Sequence, residues 1–239
     1  MTWYSQGEEG RKNVEAEQKR RQEQFDAPRR FWLRPDANTD IVFLDSEGFF
    51  LKEHSYKSGG NWQNYETCIA DMGEECAFCE DGHRSSYIAV FTVLDLSQFE
   101  TKDKLKVTAS KKLFVLKGLT IKKFLKKRDA RKGNITLAKF NTTRYEAKEA
   151  ATGTDFEFIQ KLSVKQAMAL RQKTGPYSMK EEEWLQPFDY MKIFAPKSPD
   201  ELRRILGRPA AVGSDGDIGD AGGRQSSDAD PVPDDDIPF

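Results

Sequence analysis

The chain has few cysteines, few histidines and no long hydrophobic run. Its 239 residues include three cysteines and two histidines. An odd number of cysteines without a secretory leader argues against a disulfide framework. No apolar stretch approaches the roughly 20 residues of a membrane span, and the opening MTWYSQGEEGRKN lacks a hydrophobic signal region. We therefore expect a cytoplasmic protein with one domain of ordinary size plus appendages.

The small number of histidines also bears on catalysis. A hydrolytic metal centre needs ligands and a general base in addition to those of any closed structural site. Two histidines are too few for both kinds of site. We therefore expect a protein that is not an enzyme, with a nuclease or other metal-dependent enzyme as the class that this argument weighs against.

All three cysteines fall within twelve residues. Cys68 is followed by Cys76 and Cys79, which form a C-x2-C pair. A two-residue spacer lets two thiolates reach one Zn2+ ion, and a tetrahedral site needs one more ligand. Either histidine fits, because His54 precedes the cluster and His83 follows it closely. Three thiolates make zinc a poor Lewis acid, so the pattern predicts a structural zinc ion.

The net charge of −1 hides a strong asymmetry along the chain. Residues 101–150 contain sixteen Lys and Arg but four Asp and Glu, a local charge of +12. Residues 213–239 contain eight Asp and one Arg, a local charge of −7. A basic body with an acidic tail indicates a surface for a polyanion, and nucleic acid is the obvious candidate.

Residues 28–165 carry the signals of a compact β domain. Alternating or continuous apolar segments bounded by turn residues predict short strands, and a single amphipathic helix precedes the last two. The predicted strands are 29–34, 41–44, 49–57, 86–97, 111–118, 135–145 and 155–161, with the helix at 119–128. This order predicts a mainly β fold with flanking helices, specifically a five-stranded Greek-key OB barrel with an embedded zinc loop at about 54–83.

Three further segments flank this domain. Residues 1–27 form a charged arm, either a solvated helix or an arm that contacts protein. Residues 166–207 are predicted to be a helical extension, in which Ser198 and Glu201 form a capping box and Gly207 ends the last helix. Residues 208–239 hold too few large apolar side chains to fold alone and are predicted to be disordered.

The strand at 49–57 places aromatic and basic side chains on one face. Because side chains alternate along a strand, Phe50, Lys52, His54 and Tyr56 share a face if Phe49 and Leu51 point to the core. Interleaved rings and cations suit single-stranded nucleic acid, although an amphipathic outer sheet face is the alternative. Cations between residues 122 and 132 add a phosphate-binding helix face. The candidate contacts are Arg30, Trp32, Arg34, Phe50, Lys52, Tyr56, Trp62, Tyr65, Lys111, Lys112, Lys122, Lys123, Lys126, Lys127, Arg128, Arg131 and Lys132.

The last six residues have the character of a docking peptide. Asp234, Asp235 and Asp236 precede Ile237, Pro238 and Phe239, so two large apolar side chains and a carboxylate follow three acids on a flexible tether. Such a peptide can place Phe239 in a pocket while basic residues meet its charges.

These motifs carry a resemblance to known families. The terminal DDDIPF resembles the peptide with which bacterial single-stranded-DNA-binding proteins recruit replication and repair enzymes. The body resembles single-stranded-DNA-binding proteins of tailed phages, in which a zinc module is embedded in an OB-fold. The order His54, Cys68, Cys76, Cys79 is similar to the ligand order of the T-even phage version. This resemblance favours His54 over His83 as the fourth ligand.

The resemblance implies a function that we state as an expectation. The protein would bind single-stranded DNA without sequence preference and protect it during phage DNA replication, recombination and repair in the bacterial host cytoplasm. Its tip would recruit a polymerase, helicase, nuclease or recombination factor, and its arm would contact a neighbouring copy along the strand. A zinc-containing RNA-binding or translational regulator is the alternative, because it would share the same aromatic and basic faces.

Overall fold

The computed structural model of the protein describes residues 7–8, 10–15, 28–57, 63–100, 104, 106–172 and 178–207. Residues 7–8 and 10–15 of the predicted arm are helical. Among the described residues, no helix has the length and apolar character needed to cross a membrane.

The described chain is dominated by β-strands. They are β1 (Ala37–Phe43), β2 (Phe49–Lys57), β3 (Gln63–Thr67), β4 (Ser85–Asp95), β5 (Phe99–Glu100), β6 (Lys106–Val107), β7 (Ser110–Lys117), β8 (Ala138–Arg144) and β9 (Asp155–Lys161). Strands β5 and β6 form a separate two-stranded hairpin, and the other seven form one antiparallel sheet.

Strand β4 is the centre of the large sheet. One of its edges pairs with β7 along its length, from Ile88 opposite Lys117 to Asp95 opposite Ser110. The other edge pairs with β2 in its first half and with β1 in its second half. Strand β8 then pairs with β1, β9 pairs with β8, and β3 pairs with β2. β1 and β2 therefore follow one another along the same edge of β4.

The turn between β1 and β2 depends on Gly48. This residue has φ of +69°, and a Cβ atom there would lie 2.6 Å from the ring of Phe91. Only glycine combines the left-handed backbone with such a close approach at little energetic cost. Ser46 fixes the same turn, because its Oγ accepts hydrogen bonds from the backbone N–H groups of Ile135 and Thr136.

Six short helices complete the described fold. They are α1 (Ala77–Glu80), α2 (Leu119–Asp129), α3 (Val164–Ala169), α4 (Glu181–Trp184), α5 (Tyr190–Ile193) and α6 (Pro199–Ile205). α2 lies between β7 and β8, as the amphipathic pattern predicts. α6 begins with the predicted capping box, in which Ser198 Oγ accepts from the N–H of Glu201 and the Glu201 side chain accepts from the N–H of Ser198.

An aromatic core fills one face of the sheet. Phe124 of α2 stacks on Phe43 with ring centroids 4.8 Å apart and meets Phe91 edge-on at 5.1 Å. Phe140 and Phe156 join this cluster from β8 and β9. Edge-to-face contacts between rings add to the stability that burial of their apolar area provides.

The opposite face of the sheet is covered by the C-terminal helices. Trp184 of α4 is fully buried against β1 and β4, and its Nε1 donates to the carbonyl of Ala167 at 3.0 Å. Tyr190 and Phe194 stack on Phe49 of β2. The predicted helical extension therefore packs onto the sheet rather than standing apart from it.

The structure confirms part of the fold that the sequence predicts. One large antiparallel sheet with flanking helices is present, but no closed barrel is found among the described residues. The strand predicted at 29–34 is not a regular strand. Its residues are extended, and Arg30 forms a single parallel bridge with Leu113 of β7. Pro35 limits this segment, because proline lacks the N–H needed to extend a ladder. The predicted disordered tail, residues 208–239, lies outside the described residues.

Candidate metal centre and neighbouring surfaces

Four potential metal ligands meet at the end of β2. His54 lies near the end of this strand, and Cys68 follows directly after β3, which pairs with β2. The N–H of Cys68 donates to the carbonyl of Lys52 at 2.9 Å, so the hydrogen bonding between β2 and β3 continues one residue beyond the end of β3. Cys76 is the N-cap of α1 and Cys79 lies within it. The sheet register thus positions two ligands and a four-residue helix positions the other two.

The distances between the ligand atoms fit a tetrahedral ion. His54 Nε2 lies 3.4 Å from Cys76 Sγ and 3.5 Å from Cys79 Sγ, and the Sγ atoms of Cys68 and Cys79 are 3.7 Å apart. All four ligand atoms lie within 4.8 Å of one another. Ordinary Zn–S and Zn–N bonds in a tetrahedron give S–S edges of about 3.8 Å and S–N edges of about 3.6 Å. The cluster is therefore compatible with a metal ion such as zinc.

The protonation chemistry of the cluster also suits a cation. Burial opposes ionisation of Cys76, but hydrogen bonds from the backbone of Cys79 and Ile69 outweigh it and lower the pKa of this thiol. Burial and the adjacent sulfurs of Cys68 and Cys76 raise the pKa of Cys79 to about 12. A second thiolate is therefore unfavourable beside the first, and a bound divalent cation relieves this conflict.

The imidazole of His54 is held as a neutral ligand. It is fully buried, and this burial lowers its pKa. Its Nδ1 lies near the backbone of His83 and Arg84, which partly counters the effect of burial, but it makes no hydrogen bond of normal geometry. Phe78 stacks on the ring at 5.3 Å with an interplanar angle of 18°. A neutral imidazole is the form that binds a metal through Nε2.

His83, the alternative fourth ligand, is not part of the cluster. Its ring meets Phe78 edge-on at 5.4 Å, and its Nε2 lies 3.4 Å from a carboxylate oxygen of Asp81. Phe78 thus separates the two histidines. The structure brings together the set His54, Cys68, Cys76 and Cys79, which the family resemblance favours.

The segment that carries these cysteines is strongly acidic. Residues 66–83, called here the metal module, contain six Asp and Glu and no Lys or Arg. Five of the six acids are exposed residues, and the sixth, Glu66, is half-buried. A module of this charge disfavours contact with phosphate groups.

Beside the metal module, the sheet presents an aromatic pair. Phe50 and Tyr87 stack with ring centroids 6.2 Å apart, and they are 38% and 55% exposed. They lie on the same face as Lys52, because Tyr87 is the cross-strand partner of Lys52. Lys52 Nζ lies 2.8 Å from Asp71 of the metal module. The sequence analysis did not include Tyr87, although its position two residues after the start of β4 is compatible with an exposed strand end.

The predicted contacts on β2 and β3 fall on two different faces. Tyr56 shares the face of His54 and packs against Phe78 at 5.0 Å. Tyr65 pairs with Ser55 and so lies on the face of Glu53. On that face the guanidinium of Arg30 lies 3.5 Å from the Tyr65 ring centroid. It also forms a bidentate ion pair with the buried carboxylate of Glu53. Arg30 and Tyr65 are thus engaged within the fold.

Lys111 and Lys112, both predicted phosphate contacts, also have partners within the protein. Lys111 Nζ donates to the carbonyl of Glu183 at 2.8 Å, and burial lowers its pKa to about 8. Lys112 Nζ lies 2.7 Å from a carboxylate oxygen of the buried Asp95. Both lysines are therefore placed to stabilise the contact between β7 and its neighbours.

The helix α2 and the turn after it present the largest cationic surface. Residues 122–132, called here the basic segment, contain seven Lys and Arg and one Asp. Four of its lysines are exposed and make no ion pair with a described carboxylate: Lys122, Lys123, Lys126 and Lys127. Lys132 is also exposed. Arg128 contacts Asp129 and the carbonyl of Ser46, and Arg131 lies 3.8 Å from the ring centroid of Phe158.

The remaining predicted contacts are placed as follows. Trp32 is half-buried and Arg34 is exposed, and both make further contacts. Trp62 lies outside the described residues, as does the predicted docking tip at Asp234, Asp235, Asp236, Ile237, Pro238 and Phe239.

Comparison with known proteins does not assign the chain to a family. No protein-family model matches the chain, and no curated protein sequence matches it significantly. The fold and the metal cluster define a mostly β, antiparallel-sheet protein with a metal-compatible His/Cys3 site.

Proposed function

We propose that the protein binds single-stranded DNA without sequence preference and acts by binding rather than by catalysis. The observation that carries this proposal is the exposed Phe50–Tyr87 pair on the face that also holds Lys52. Two rings that stack on each other and stay exposed on one sheet face form a platform that suits a base, and stacking on aromatic rings is worth about 1 to 3 kcal/mol per base. Every base has a π face, so such a platform tolerates any sequence.

The connectivity of the sheet supports an OB-type fold. If β1 and β2 count as one bent first strand, the order along the sheet is β7, β4, β1–β2, β8, β9. In the chain, α2 lies between β7 and β8. A partly open five-stranded Greek-key barrel has this arrangement. Residues 29–33 extend from β7 towards the β8–β9 loop, because Phe31 N–H donates to Leu113 and Leu33 N–H donates to Ala151. OB-folds bind oligonucleotides on the face of their central strands.

The basic segment supplies the charge that such a ligand needs. Lys122, Lys123, Lys126 and Lys127 are exposed and form no ion pair with a described carboxylate, so they are available for phosphates, although Lys123 interacts electrostatically with Glu149. Arg128 connects the end of α2 to Ser46, just before the strand that carries Phe50. Contacts between cationic side chains and phosphates hold the nucleic-acid backbone without reading the base sequence.

Zinc has a structural role in this proposal. His54, Cys68, Cys76 and Cys79 would hold the ion, which would supply folding free energy to a segment with little regular structure of its own. Four protein ligands leave no position for a substrate.

The C-terminal tip completes the proposed function. The acidic Asp234–Asp236 run followed by Ile237, Pro238 and Phe239 supports docking to basic, pocketed partner proteins, such as replication or repair enzymes of a bacterial host. This part of the proposal, including a phage origin, rests on the sequence resemblance.

The test is a binding titration with labelled oligonucleotides followed by fluorescence anisotropy at several salt concentrations. We expect zinc-loaded protein to bind oligo-dT tightly, with a linear dependence of log K on log salt, and to bind a matched duplex far more weakly. Oligo-rU of equal length tests the RNA alternative, and preferential binding of rU would replace DNA by RNA as the ligand.

A pair of matched variants locates the stacking site. Tyr87→Leu should weaken dT binding by about 5- to 150-fold, because one stacked base is lost. Tyr145 is similarly exposed, at 52%, but lies at the end of β8, so Tyr145→Leu is the control and should bind like the unaltered protein. Duplex binding equal to that of dT would refute the proposal.

A further inference from the structure

The last described helix, α6, is seated on the metal module. Leu202 of α6 is fully buried, and Ile205 and Leu206 pack beside it. Their partners are two of the metal ligands and the residues next to them in sequence: Cys68, Ile69, Cys76, Ala77 and Phe78. The apolar surface on which α6 packs, called here the seat, is therefore formed by the two segments that carry Cys68 and Cys76.

Polar contacts hold the same segment to the same module. Thr67 Oγ1 donates to the carbonyl of Phe194 at 3.0 Å. Lys197 Nζ lies 2.5 Å from Glu66, and Arg203 Nη2 lies 2.9 Å from Glu75. The cations of this segment thus face the acidic module.

Neither the metal module nor α6 has enough regular structure to be stable without the other. Between β3 and β4 the metal module contains a three-residue 3-10 turn and the four-residue α1, and no strand. α6 has seven residues, and isolated helices of that length are not stable in water. An ion bound by Cys68, Cys76 and Cys79 would therefore hold the segments that form this contact in place.

We propose that metal binding fastens α6 to the body of the protein and thereby fixes where the acidic tail begins. This inference rests on the structural zinc of the proposed function, but it does not depend on DNA binding. Loss of the ion should therefore release residues 195–207 from the metal module.

The release should stop at α5, which has a separate anchor. Tyr190 donates a short hydrogen bond to Asp45, shares a hydrogen bond with Thr92 at 2.7 Å, and stacks on Phe49. None of these three partners belongs to the metal module. The inference therefore predicts a boundary between a metal-dependent segment, 195–207, and a metal-independent one that ends at Phe194, whose carbonyl contacts Thr67 of the module but whose ring stacks on Phe49.

Limited trypsin digestion with mass spectrometry tests this boundary. In the zinc-loaded protein, cleavage after Lys197, Arg203 and Arg204 should be slow. After zinc is removed with a chelator, cleavage at these three sites should accelerate at least about tenfold, while cleavage after Lys192 of α5 stays slow. Identical cleavage patterns with and without zinc would overturn the proposal, and equal acceleration at Lys192 would refute the boundary.

Thermodynamic reciprocity gives a second, independent test. If zinc stabilises the docked α6, then docked α6 must tighten zinc by the same factor, typically about 5- to 150-fold. Leu202→Ala should therefore weaken zinc affinity within that range, measured by competition with a chelating dye. Met191→Ala is the control, because Met191 on α5 is 72% exposed.

The outcomes separate this inference from the proposed function. Unchanged zinc affinity in Leu202→Ala would refute the fastening of α6 and leave DNA binding untouched. Normal zinc behaviour in a protein that binds no single-stranded DNA would refute the proposed function and leave the inference standing. A chain that binds no zinc would overturn the inference and the structural role of the ion together.

Discussion

The basic segment and the metal module are opposite in charge and are held in place by different forces. The basic segment carries seven cations and one acid, and Phe124 buries its helix in the aromatic core. The metal module carries six acids and no Lys or Arg, and its buried residues combine potential metal ligands with two large apolar side chains, Ile69 and Phe78.

Under the proposed function, this difference favours separate tasks for the two regions. A cationic helix fixed by a rigid core can hold phosphates without changing shape. An acidic loop fixed by a metal would repel the same phosphates, and its cationic neighbours are Lys52, Lys197 and Arg203 of the same chain. Under the proposed function, the acidic charge of the metal module therefore favours a structural role for its ion.

Loss of the ion should have the largest effect on stability. Cys76→Ser or treatment with a chelator should lower the free energy of unfolding by more than about 5 kcal/mol, because structural zinc contributes folding energy directly. Chemical unfolding with zinc content measured in parallel checks this. His83→Ala should retain the metal and most of the stability, and loss of zinc from this variant would contradict the ligand set.

Creating a cavity beneath the basic segment should have the next largest effect on stability. Phe124→Ala removes a fully buried ring and should reduce stability by about 3 to 5 kcal/mol. Urea unfolding measures the change. Leu119→Ala, on the exposed side of the same helix, is the control and should have little effect. Equal losses in the two variants would mean that α2 is not anchored through Phe124.

Charge neutralisation compares the two regions directly. Replacing Lys122, Lys123, Lys126 and Lys127 by Gln should weaken oligo-dT binding and reduce the salt slope by up to about 2.8, at about 0.7 for each lost phosphate contact on a single strand. Replacing Glu74 and Glu80 of the metal module by Gln should not weaken binding. Weaker binding in the second variant would place the metal module on the DNA path.

The smallest predicted effect concerns the anchor of α5. Burial raises the pKa of Asp45 from 3.8 to about 6, although hydrogen bonds from Tyr190 and Thr92 partly oppose it. Between these two values the folded protein holds more protons than the unfolded chain, so stability should fall as pH rises through this window, by at most about 1.4 kcal/mol per pH unit.

Asp45→Asn tests this pH dependence, because an amide can still accept hydrogen bonds but does not titrate. Urea unfolding at several pH values should give a flatter profile for this variant between pH 4 and pH 6. Glu47→Gln, at an exposed neighbouring position, is the control and should keep the original profile. Parallel profiles for Asp45→Asn and the unaltered protein would remove Asp45 as the titrating group.

Local features of the fold follow well from the sequence. The alternation in FFLKEHSYK predicts β2 with its observed bounds, and the apolar stripe of 119–128 predicts α2 to within one residue. The capping box at Ser198 predicts the start of α6. Each of these signals depends on neighbours within a few positions, so periodicity and capping are sufficient to find them.

The sequence by itself determined the clustered cysteines, the charge of each region and most of the strands, because spacing and composition are properties of the chain alone. Only the tertiary structure decided that His54 rather than His83 meets the thiols, that Tyr65 and Phe50 lie on different faces, and that Tyr87 stacks on Phe50 from another strand. Those outcomes depend on the register between strands, where a shift of one residue reverses every face. The seat of α6 depends in the same way on packing between segments more than 100 residues apart, which no local pattern records.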